Sequence, residues 1–226
     1  MKDFIIFCDF DGTITLNDTV DEFLNQYANN EWLDIEAKWL NGEIGSKQCI
    51  VEQFNQIRKI ESKDISYFVD IVEVDPYFCS FLEEIRAKGI DFYIVSDGFR
   101  PLIERILEKH GISGCRIFSN DFYHTGNNKI VPFFPFNNML CKSQAGLCKC
   151  SIVKELGAGR KIIYIGDGQS DKCVCTKADI LFAKNSLAKH CREKGIKHFS
   201  FKNFKEITDC FFGKEIFNAG REAAYR

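Results

Sequence analysis

A run of five apolar residues near the start of the chain, Phe4–Cys8, ends abruptly in two carboxylates, Asp9 and Asp11. Such a run predicts a buried β-strand. Side chains at positions i and i+2 of an extended segment point the same way, so both carboxylates leave the end of the strand together. Two like charges this close are unfavourable unless a cation or a reacting group lies between them. The sequence therefore predicts a site at the carboxyl end of this strand, of a kind suited to phosphoryl transfer.

Strand-like runs alternate with helical segments, which predicts an α/β fold with a doubly wound parallel sheet covered on both faces. Four runs are the strand candidates: Phe4–Cys8, Phe92–Val95, Ile162–Ile165 and Ile180–Phe182. In open parallel sheets, ligands bind beyond the carboxyl ends of the strands. Asp9, Ser96 and Asp167 lie just beyond three of these runs. We therefore expect these three residues to meet at one edge of the sheet.

Residues 17–75 differ from the rest of the chain, because their apolar residues recur at helical spacing and no strand is evident. We predict a small helical cap here, inserted after the first strand. The catalytic core then consists of residues 1–16 and 76–226. Farther along, Gly126–Asn128 forms a turn between two strand-like runs, which predicts a β-hairpin appended to the core.

The composition limits the classes of function. A formal net charge of −2 over 226 residues gives no basic surface for nucleic acid. No segment reaches the roughly 18 apolar residues that cross a bilayer, so no membrane partner is expected. Eleven cysteines without a secretory start indicate reduced thiols and a cytoplasmic location. We expect a monomer or a homodimer whose partner is a small-molecule phosphate ester.

The two carboxylates of the first motif suggest a division of chemical roles. Asp9 is the predicted nucleophile, because a carboxylate can attack phosphorus and form an aspartyl-phosphate. Asp11 is placed to protonate the leaving oxygen and then to activate the water that releases phosphate. A carboxylate does not approach a phosphate dianion unaided, so a divalent cation is expected. Mg²⁺ suits a site of carboxylates, carbonyls, water and phosphate.

The segment IIYIGDGQSD, residues 162–171, supplies further carboxylates. Asp167 is the predicted direct metal ligand. Asp171 either reaches the same metal or holds a water or orients another ligand. Gly166 and Gly168 are expected to allow a close approach of the backbone.

Phosphate oxygens need donors and positive charge. The Ser96 hydroxyl and the backbone N–H groups of the following turn, at Asp97 and Gly98, are predicted to bind phosphate oxygens. Lys149 would neutralise the phosphoryl group as charge builds up during transfer. Together these residues predict a phosphate site beside the two metal-binding motifs.

The motifs resemble those of the haloacid dehalogenase superfamily. The matching segments are DFDGT at 9–13, SDG at 96–98, Lys149 and GDGQSD at 166–171. The helical insertion resembles the cap of the phosphoserine phosphatase-like branch. Within that branch the chain looks most like the methionine-salvage phosphatases that act on 2-hydroxy-3-keto-5-methylthiopentenyl 1-phosphate. The resemblance implies that Asp9, Asp11 and Asp167 bind the metal, Asp11 through its carbonyl. It also implies that Ser96 and Lys149 hold the phosphate.

The cap departs from the phosphoserine phosphatase pattern. Asp18 lies where those enzymes have an acidic residue for the substrate ammonium group, and it is therefore a predicted substrate residue. No Arg for the substrate carboxylate falls in the corresponding cap segment, and Arg58 is the nearest candidate. Phosphoserine is therefore not the expected substrate. Lys149 is also followed by Cys150, where the salvage group has Pro.

Two alternative functions would use the same residues. A phosphotransferase or phosphomutase would pass the phosphoryl group from Asp9 to an acceptor other than water. A non-catalytic protein that binds phosphate or metal would more often have lost one of the catalytic residues, and none is missing here. The hydrolase hypothesis is therefore preferred.

The cysteines near Lys149 are interpreted as packing residues. Cys141, Cys148 and Cys150 do not have the paired Cys-x-x-Cys spacing of structural zinc sites, so no zinc is predicted. A zinc site or a redox-sensitive pair is the alternative. Trp32 and Trp39, seven residues apart, are likewise interpreted as a core stripe of the cap, with an aromatic at the mouth of the cap as the alternative.

Overall fold

The computed structural model describes residues 3–213, so the end of the predicted core, residues 214–226, lies outside the described residues. Within that range seven strands form one sheet: β1 (Phe4–Cys8), β2 (Asp91–Phe99), β3 (Arg116–His124), β4 (Ile130–Phe133), β5 (Lys161–Gly166), β6 (Ile180–Ala183) and β7 (Phe199–Ser200). The order across the sheet is β4-β3-β2-β1-β5-β6-β7. β3 and β4 are antiparallel, and the other neighbours are parallel.

Helices connect these strands. Those in the described range are α1 (Thr19–Tyr27), α2 (Trp32–Leu40), α3 (Ser46–Phe54), α4 (Ser62–Ile71), α5 (Phe78–Ala87), α6 (Arg100–Lys109), α7 (Lys149–Leu156), α8 (Asn185–Lys194) and α9 (Phe204–Phe212). In residues 3–213 no helix has the length and apolar character needed to cross a bilayer. The predicted α/β fold is confirmed, and all four predicted strands are present.

β1 is the central strand of the sheet. Ile6 and Cys8 face one hydrophobic cluster, while Ile5 and Phe7 face the other. All four side chains are fully buried. A strand covered on both faces has no polar side, which explains the uninterrupted apolar run in the sequence.

The predicted helical insertion follows β1 and consists of α1 to α4. The chain enters and leaves it side by side, because Leu16 N–H donates to the Glu73 carbonyl and Asp75 N–H donates to the Ile14 carbonyl. Inside it the rings of α1 and α4 pack edge to face, and helices α1, α3 and α4 share a hydrophobic cluster with one face of the sheet. The insertion is therefore joined to the sheet by a narrow double connection and an apolar contact.

The predicted hairpin is formed by β3 and β4, and it continues the main sheet because β3 pairs with β2. Thr125 N–H donates to the Lys129 carbonyl to close the turn, where Asn128 has a left-handed φ of 55°. The loop after β4 then reaches the insertion, since Lys47 N–H donates to the Gln144 carbonyl. This loop leads directly into α7.

Candidate active site

The carboxyl ends of three adjacent strands, β2, β1 and β5, bring the predicted residues together. Asp9 follows β1, Ser96 lies near the end of β2, and Asp167 follows β5. Carboxylate oxygens of Asp9, Asp167 and Asp171 lie within 4.8 Å of one another. The parallel register of the sheet therefore produces the acidic cluster that the sequence predicts.

Lys149 lies beneath this cluster and is almost fully buried, with 1% of its side chain exposed. Its Nζ is 2.9 Å from Asp9 Oδ1 and 2.6 Å from Asp171 Oδ1. Burial alone would lower the pKa of Lys149, but the Asp171 and Asp9 carboxylates outweigh it and raise this pKa. The side chain therefore stays charged as a fixed counter-ion.

Asp9 has one carboxylate oxygen engaged by the protein. Oδ1 accepts from the Phe10 backbone N–H at 2.8 Å and pairs with Lys149. Within residues 3–213, the hydrogen bonds and ion pairs of this carboxylate fall on Oδ1. Asp9 also lines the cavity at this edge of the sheet, so Oδ2 is the oxygen available for chemistry.

Asp171 has both oxygens engaged. Oδ1 accepts from Lys149 Nζ and from the Tyr164 hydroxyl, at 2.6 and 2.5 Å. Oδ2 accepts from the backbone N–H groups of Asp167 and Gly168, at 3.0 and 3.1 Å. A Cβ on Gly166 would lie 2.4 Å from this oxygen, so the expected close approach occurs there, whereas a Cβ on Gly168 would meet nothing within 4 Å. The close contact therefore requires glycine at position 166, whereas nothing around the Cβ position requires it at 168.

Asp167 is half-buried and faces the cavity. Its oxygens accept from Thr13 Oγ1 and Asn185 Nδ2, both at 3.1 Å. Burial, and then the charge of Asp171, raises the pKa of Asp167 to about 6. A carboxyl held in this way carries a charge that a cation would stabilise.

Asp11 is held between the sheet and the insertion. Its Oδ2 accepts from Ser96 Oγ at 2.7 Å, and its Oδ1 accepts from the Thr19 hydroxyl at the start of α1. Gly98 N–H donates to Ser96 Oγ at 2.8 Å. A Cβ on Gly98 would lie 2.3 Å from Asp11 Oδ2, so only glycine fits beside this carboxylate.

Asp97 serves as a junction between elements. Its carboxylate accepts from Ser46 Oγ in α3 and from the Leu147 backbone N–H, both at 2.9 Å. Asn120 Nδ2 on β3 donates to its carbonyl at 2.6 Å. The Asp97 carboxylate therefore ties the insertion to the residues that precede Lys149, and binding of phosphate by the Asp97 backbone N–H stays a prediction.

The cavity above these residues lies between the sheet edge and the insertion. Its lining on the insertion side includes residues that the sequence analysis did not select: Val20, Asp21, Glu36, Trp39, Ser46, Cys49, Ile50 and Gln53. Trp32 is buried in the core as predicted, but Trp39 lines the cavity, so the interpretation of Trp39 as a core residue is wrong. Trp39 lies in the last turn of α2, and it is only partly buried.

Polar groups on this side of the cavity are mainly acidic. Glu36 Oε2 accepts from Gln53 Nε2 at 2.8 Å. Partial burial, and then the charge of Asp21, raises the pKa of Glu36. Asp18 lines the cavity too, but its Oδ1 caps α1 by accepting from two backbone N–H groups. Neither Arg nor Lys occurs among the described lining residues, and Arg58 lies elsewhere.

Comparison with known proteins agrees with this geometry. Residues 6–174 match the family described as haloacid dehalogenase-like hydrolase. A 2-hydroxy-3-keto-5-methylthiopentenyl-1-phosphate phosphatase of Bacillus velezensis is 30% identical over 209 residues, covering 90% of this chain and 87% of that protein. The bifunctional enzyme MtnB/MtnX of Bacillus licheniformis is 32% identical over 211 residues, 92% of this chain and 49% of that one.

A solved structure of a phospho-aspartyl intermediate analogue of phosphoserine phosphatase has the same fold. It superposes with a TM-score of 0.71 and 18% identity, covering 92% of this chain and 99% of that chain. The acidic cluster, the buried lysine and the cavity thus lie within a fold and a sequence family that match most of the chain.

Proposed function

Because this chain belongs to the haloacid dehalogenase-like hydrolase family and is a phosphoric monoester hydrolase, we propose that it uses Mg²⁺ and an aspartyl-phosphate on Asp9. The observation that carries the proposal is that Asp9 lines the cavity and that its contacts with the buried Lys149 and the Phe10 N–H both fall on Oδ1, so Oδ2 carries no hydrogen bond or ion pair within residues 3–213. A nucleophile held by one oxygen has its other oxygen oriented for in-line attack.

The first step forms a bond between Asp9 Oδ2 and phosphorus and breaks the bond from phosphorus to the ester oxygen. Asp11 gives a proton to the departing oxygen. In the second step water attacks the phosphorus of the aspartyl-phosphate, Asp11 takes a proton from that water, and the Asp9 carboxylate is restored with release of phosphate. Ser96 and Lys149 are proposed to hold the phosphate oxygens during both steps.

The acidic cluster fits Mg²⁺. Burial raises the pKa of Asp9 well above its ordinary value, and Asp171 raises it further, although Lys149 lowers it. Negative charge is thus concentrated beyond what one lysine offsets, and the donors are the hard oxygens that Mg²⁺ prefers. We assign the ion to Asp9, Asp167 and the Asp11 carbonyl, with Asp171 orienting Lys149. When bound, Mg²⁺ would screen the phosphate charge from the attacking carboxylate.

Residues 17–75 are proposed to act as a cap that contacts the organic part of the substrate. Trp39, Ile50 and Cys49 offer an apolar surface, while Glu36 and Gln53 offer hydrogen-bond acceptors and donors. Such a lining suits a neutral chain with hydroxyl, keto and thioether groups better than a carboxylate, because it has no cation. We therefore propose 2-hydroxy-3-keto-5-methylthiopentenyl 1-phosphate, the compound in the name of the Bacillus velezensis relative, as the first substrate to test.

We also place the protein in the cytoplasm, as a monomer or a homodimer. In residues 3–213 the cysteines form no disulfide, which is consistent with a reducing compartment.

Phosphate release from a panel of small phosphomonoesters tests the proposal. The panel contains the methylthiopentenyl ester and phosphoserine, each with Mg²⁺ or EDTA, using wild type and Asp9→Asn. We expect Mg²⁺-dependent turnover that falls by at least about 1,000-fold in Asp9→Asn, since the attacking atom is lost. Turnover of wild type in EDTA, or equal turnover by the variant, would refute the mechanism. Transfer of the phosphoryl group to an added alcohol, in place of release as inorganic phosphate, would indicate a phosphotransferase.

A further inference from the structure

One carboxylate in the lining of the cavity has no role in the proposed chemistry. Glu36 lies in α2, on the side of the cavity formed by the insertion, and outside the group of Asp9, Asp167 and Asp171. Ile35, the preceding residue of α2, is buried in the core, whereas Glu36 is half-buried. The helix therefore presents Glu36 to the cavity rather than to the packed layer.

Two buried residues of α3 hold this carboxylate by one oxygen. Gln53 Nε2 donates to Glu36 Oε2 at 2.8 Å, and the Cys49 thiol lies 3.7 Å from the same oxygen. Cys49 and Gln53 are four residues apart, so they lie on one face of α3, and each is 2% exposed. Within residues 3–213, the hydrogen bonds of the Glu36 carboxylate fall on Oε2. Oε1 is therefore the oxygen left for a bound molecule.

The surroundings of Glu36 provide no counter-charge. Trp39 and Ile50 share this part of the lining, and among the described lining residues there is neither Arg nor Lys. Burial, and then the charge of Asp21, raises the pKa of Glu36, while the two hydrogen bonds from α3 oppose this rise. A partly buried carboxylate is stable when donors reach its oxygens, and one of the two oxygens here lacks a donor. The lining is thus short of one hydrogen-bond donor.

We propose that Glu36 selects the substrate by accepting, through Oε1, a hydrogen bond from a hydroxyl group on the organic part of the phosphomonoester. The inference rests on the proposed function, in which the phosphate lies at Asp9 and the organic part extends along the cavity toward the insertion. A keto oxygen and a thioether sulfur accept hydrogen bonds and donate none, so the hydroxyl is the one of these three groups that can donate to a carboxylate. Glu36 is thus a specificity-determining residue, and it takes no part in the transfer of the phosphoryl group.

A purely structural role for Glu36 would be limited to joining α2 to α3. That role uses Oε2 alone, and a glutamine at this position could accept from Gln53 in the same way. The two roles differ at Oε1, where a glutamine would present an NH₂ group in place of an acceptor. The substitution Glu36→Gln separates the roles, because it keeps the shape and the contact with α3 and changes an acceptor into a donor.

Steady-state kinetics with matched esters tests the proposal. Pentyl phosphate is compared with hydroxypentyl phosphates that carry one hydroxyl group, at carbon 2 or at carbon 5, using wild type and Glu36→Gln with Mg²⁺. We expect kcat/KM for the hydroxy ester that wild type prefers to fall by about 10- to 100-fold in the variant, mainly through KM, because a hydrogen bond to a charged group is lost. The value for pentyl phosphate should stay within about threefold. The matched control is Asp34→Asn, which removes an exposed carboxylate from the same helix and should leave all these values unchanged.

Three kinetic results would overturn the proposal. An equal fall in kcat/KM for all the esters in Glu36→Gln would indicate a purely structural role. An unchanged kcat/KM for the preferred hydroxy ester would show that Glu36 does not contact the hydroxyl group. A wild-type preference for 5-aminopentyl phosphate over the hydroxy esters, lost in Glu36→Gln, would assign the carboxylate to an ammonium group instead.

Calorimetry keeps this inference separate from the proposed function. The same esters are titrated into Asp9→Asn and into Asp9→Asn/Glu36→Gln with Mg²⁺, so that binding is measured without turnover. A Kd at least tenfold weaker in the double variant, for the hydroxy ester that binds more tightly, supports the role of Glu36 even if wild type hydrolyses no ester. Equal Kd values in the two proteins, or no binding of any ester, overturn it even if Mg²⁺-dependent hydrolysis is observed.

Discussion

The substitution Asp171→Asn should strongly destabilise the protein even though it removes only a charge. The Asp171 side chain is 0% exposed, and its two oxygens accept four hydrogen bonds. An asparagine has one acceptor oxygen and one donor NH₂ group. If the NH₂ group faces Lys149 and Tyr164, it meets two donors. If it faces the backbone N–H groups of Asp167 and Gly168, it again meets two donors. Either orientation leaves buried donors unsatisfied.

The size of the effect follows from the buried ion pair. Removing one partner of such a pair costs about 3–5 kcal/mol, because the remaining charge is left without compensation. Lys149 keeps its contact with Asp9, so the lower end of that range applies to the charge, and the unsatisfied donors add about 1–3 kcal/mol. A total of about 4–6 kcal/mol corresponds to a fall in Tm of roughly 8–24 °C for a domain of this size.

Thermal and urea unfolding followed by circular dichroism measures this change. Asp179→Asn is the matched control, because Asp179 is an exposed carboxylate whose Oδ2 accepts one backbone N–H, from Ile162, at 2.7 Å. An asparagine there keeps an acceptor, so we expect a change within about 0.5 kcal/mol. A loss below about 1 kcal/mol for Asp171→Asn, or equal losses for both variants, would refute the role assigned to this network.

Two further predictions concern the metal and the glycine beside Asp11. Burial, and then the charge of Asp171, raises the pKa of Asp167 from 3.8 to about 6. Between these two pH values the metal-free folded protein binds more protons than the unfolded chain. This group therefore makes the free energy of unfolding fall as pH rises through that range. Mg²⁺ should reverse that loss of stability by binding the charged carboxylate. The rise in Tm on adding Mg²⁺ should be clear at about pH 7.5 and small at about pH 5, where Asp167 is protonated. An equal rise in Tm at the two pH values would contradict the assignment of Asp167 as a metal ligand. Gly98→Ala places a Cβ 2.3 Å from Asp11 Oδ2 and should lower kcat by about 100-fold or more with little change in fold. Gly168→Ala has open space at its Cβ, so its kcat should stay within about threefold of wild type. Steady-state kinetics of the two variants measures the difference.

The sequence was sufficient to predict the central strand and the residues that follow it. β1 is apolar on both faces because helices cover both sides of it, and that pattern is local. β3 was predicted only as part of an appended hairpin, because its sequence RIFSNDFYH mixes polar and apolar residues and resembles an edge strand. Its pairing with β2 makes the hairpin continuous with the main sheet. That pairing joins segments distant in sequence, and no local pattern encodes it.

The cavity lining was largely beyond prediction from the sequence. Glu36 and Trp39 lie on the same helix, and their spacing is equally typical of a packed or an exposed face. What places them over the active site is the way the insertion packs on the sheet. Tyr164 was missed for a related reason: it lies in a buried strand and looks like core, while its hydroxyl donates to Asp171. The hydroxyl of a buried tyrosine needs a partner, and that requirement is the one signal that could have identified it.

The two aspartates of the segment GDGQSD have different roles, and the hydrogen bonds explain why both are needed. A divalent ion and a buried lysine both require carboxylate oxygens. Asp171 gives both oxygens to Lys149, Tyr164 and the loop backbone, which leaves it little capacity for a metal. Within residues 3–213, the side chains that donate to Asp167 are neutral, and burial together with the charge of Asp171 raises the pKa of this carboxyl. The same loop therefore fixes the lysine with one carboxylate and keeps the other available for the ion. A variant that exchanged the two roles would need to move Lys149 as well.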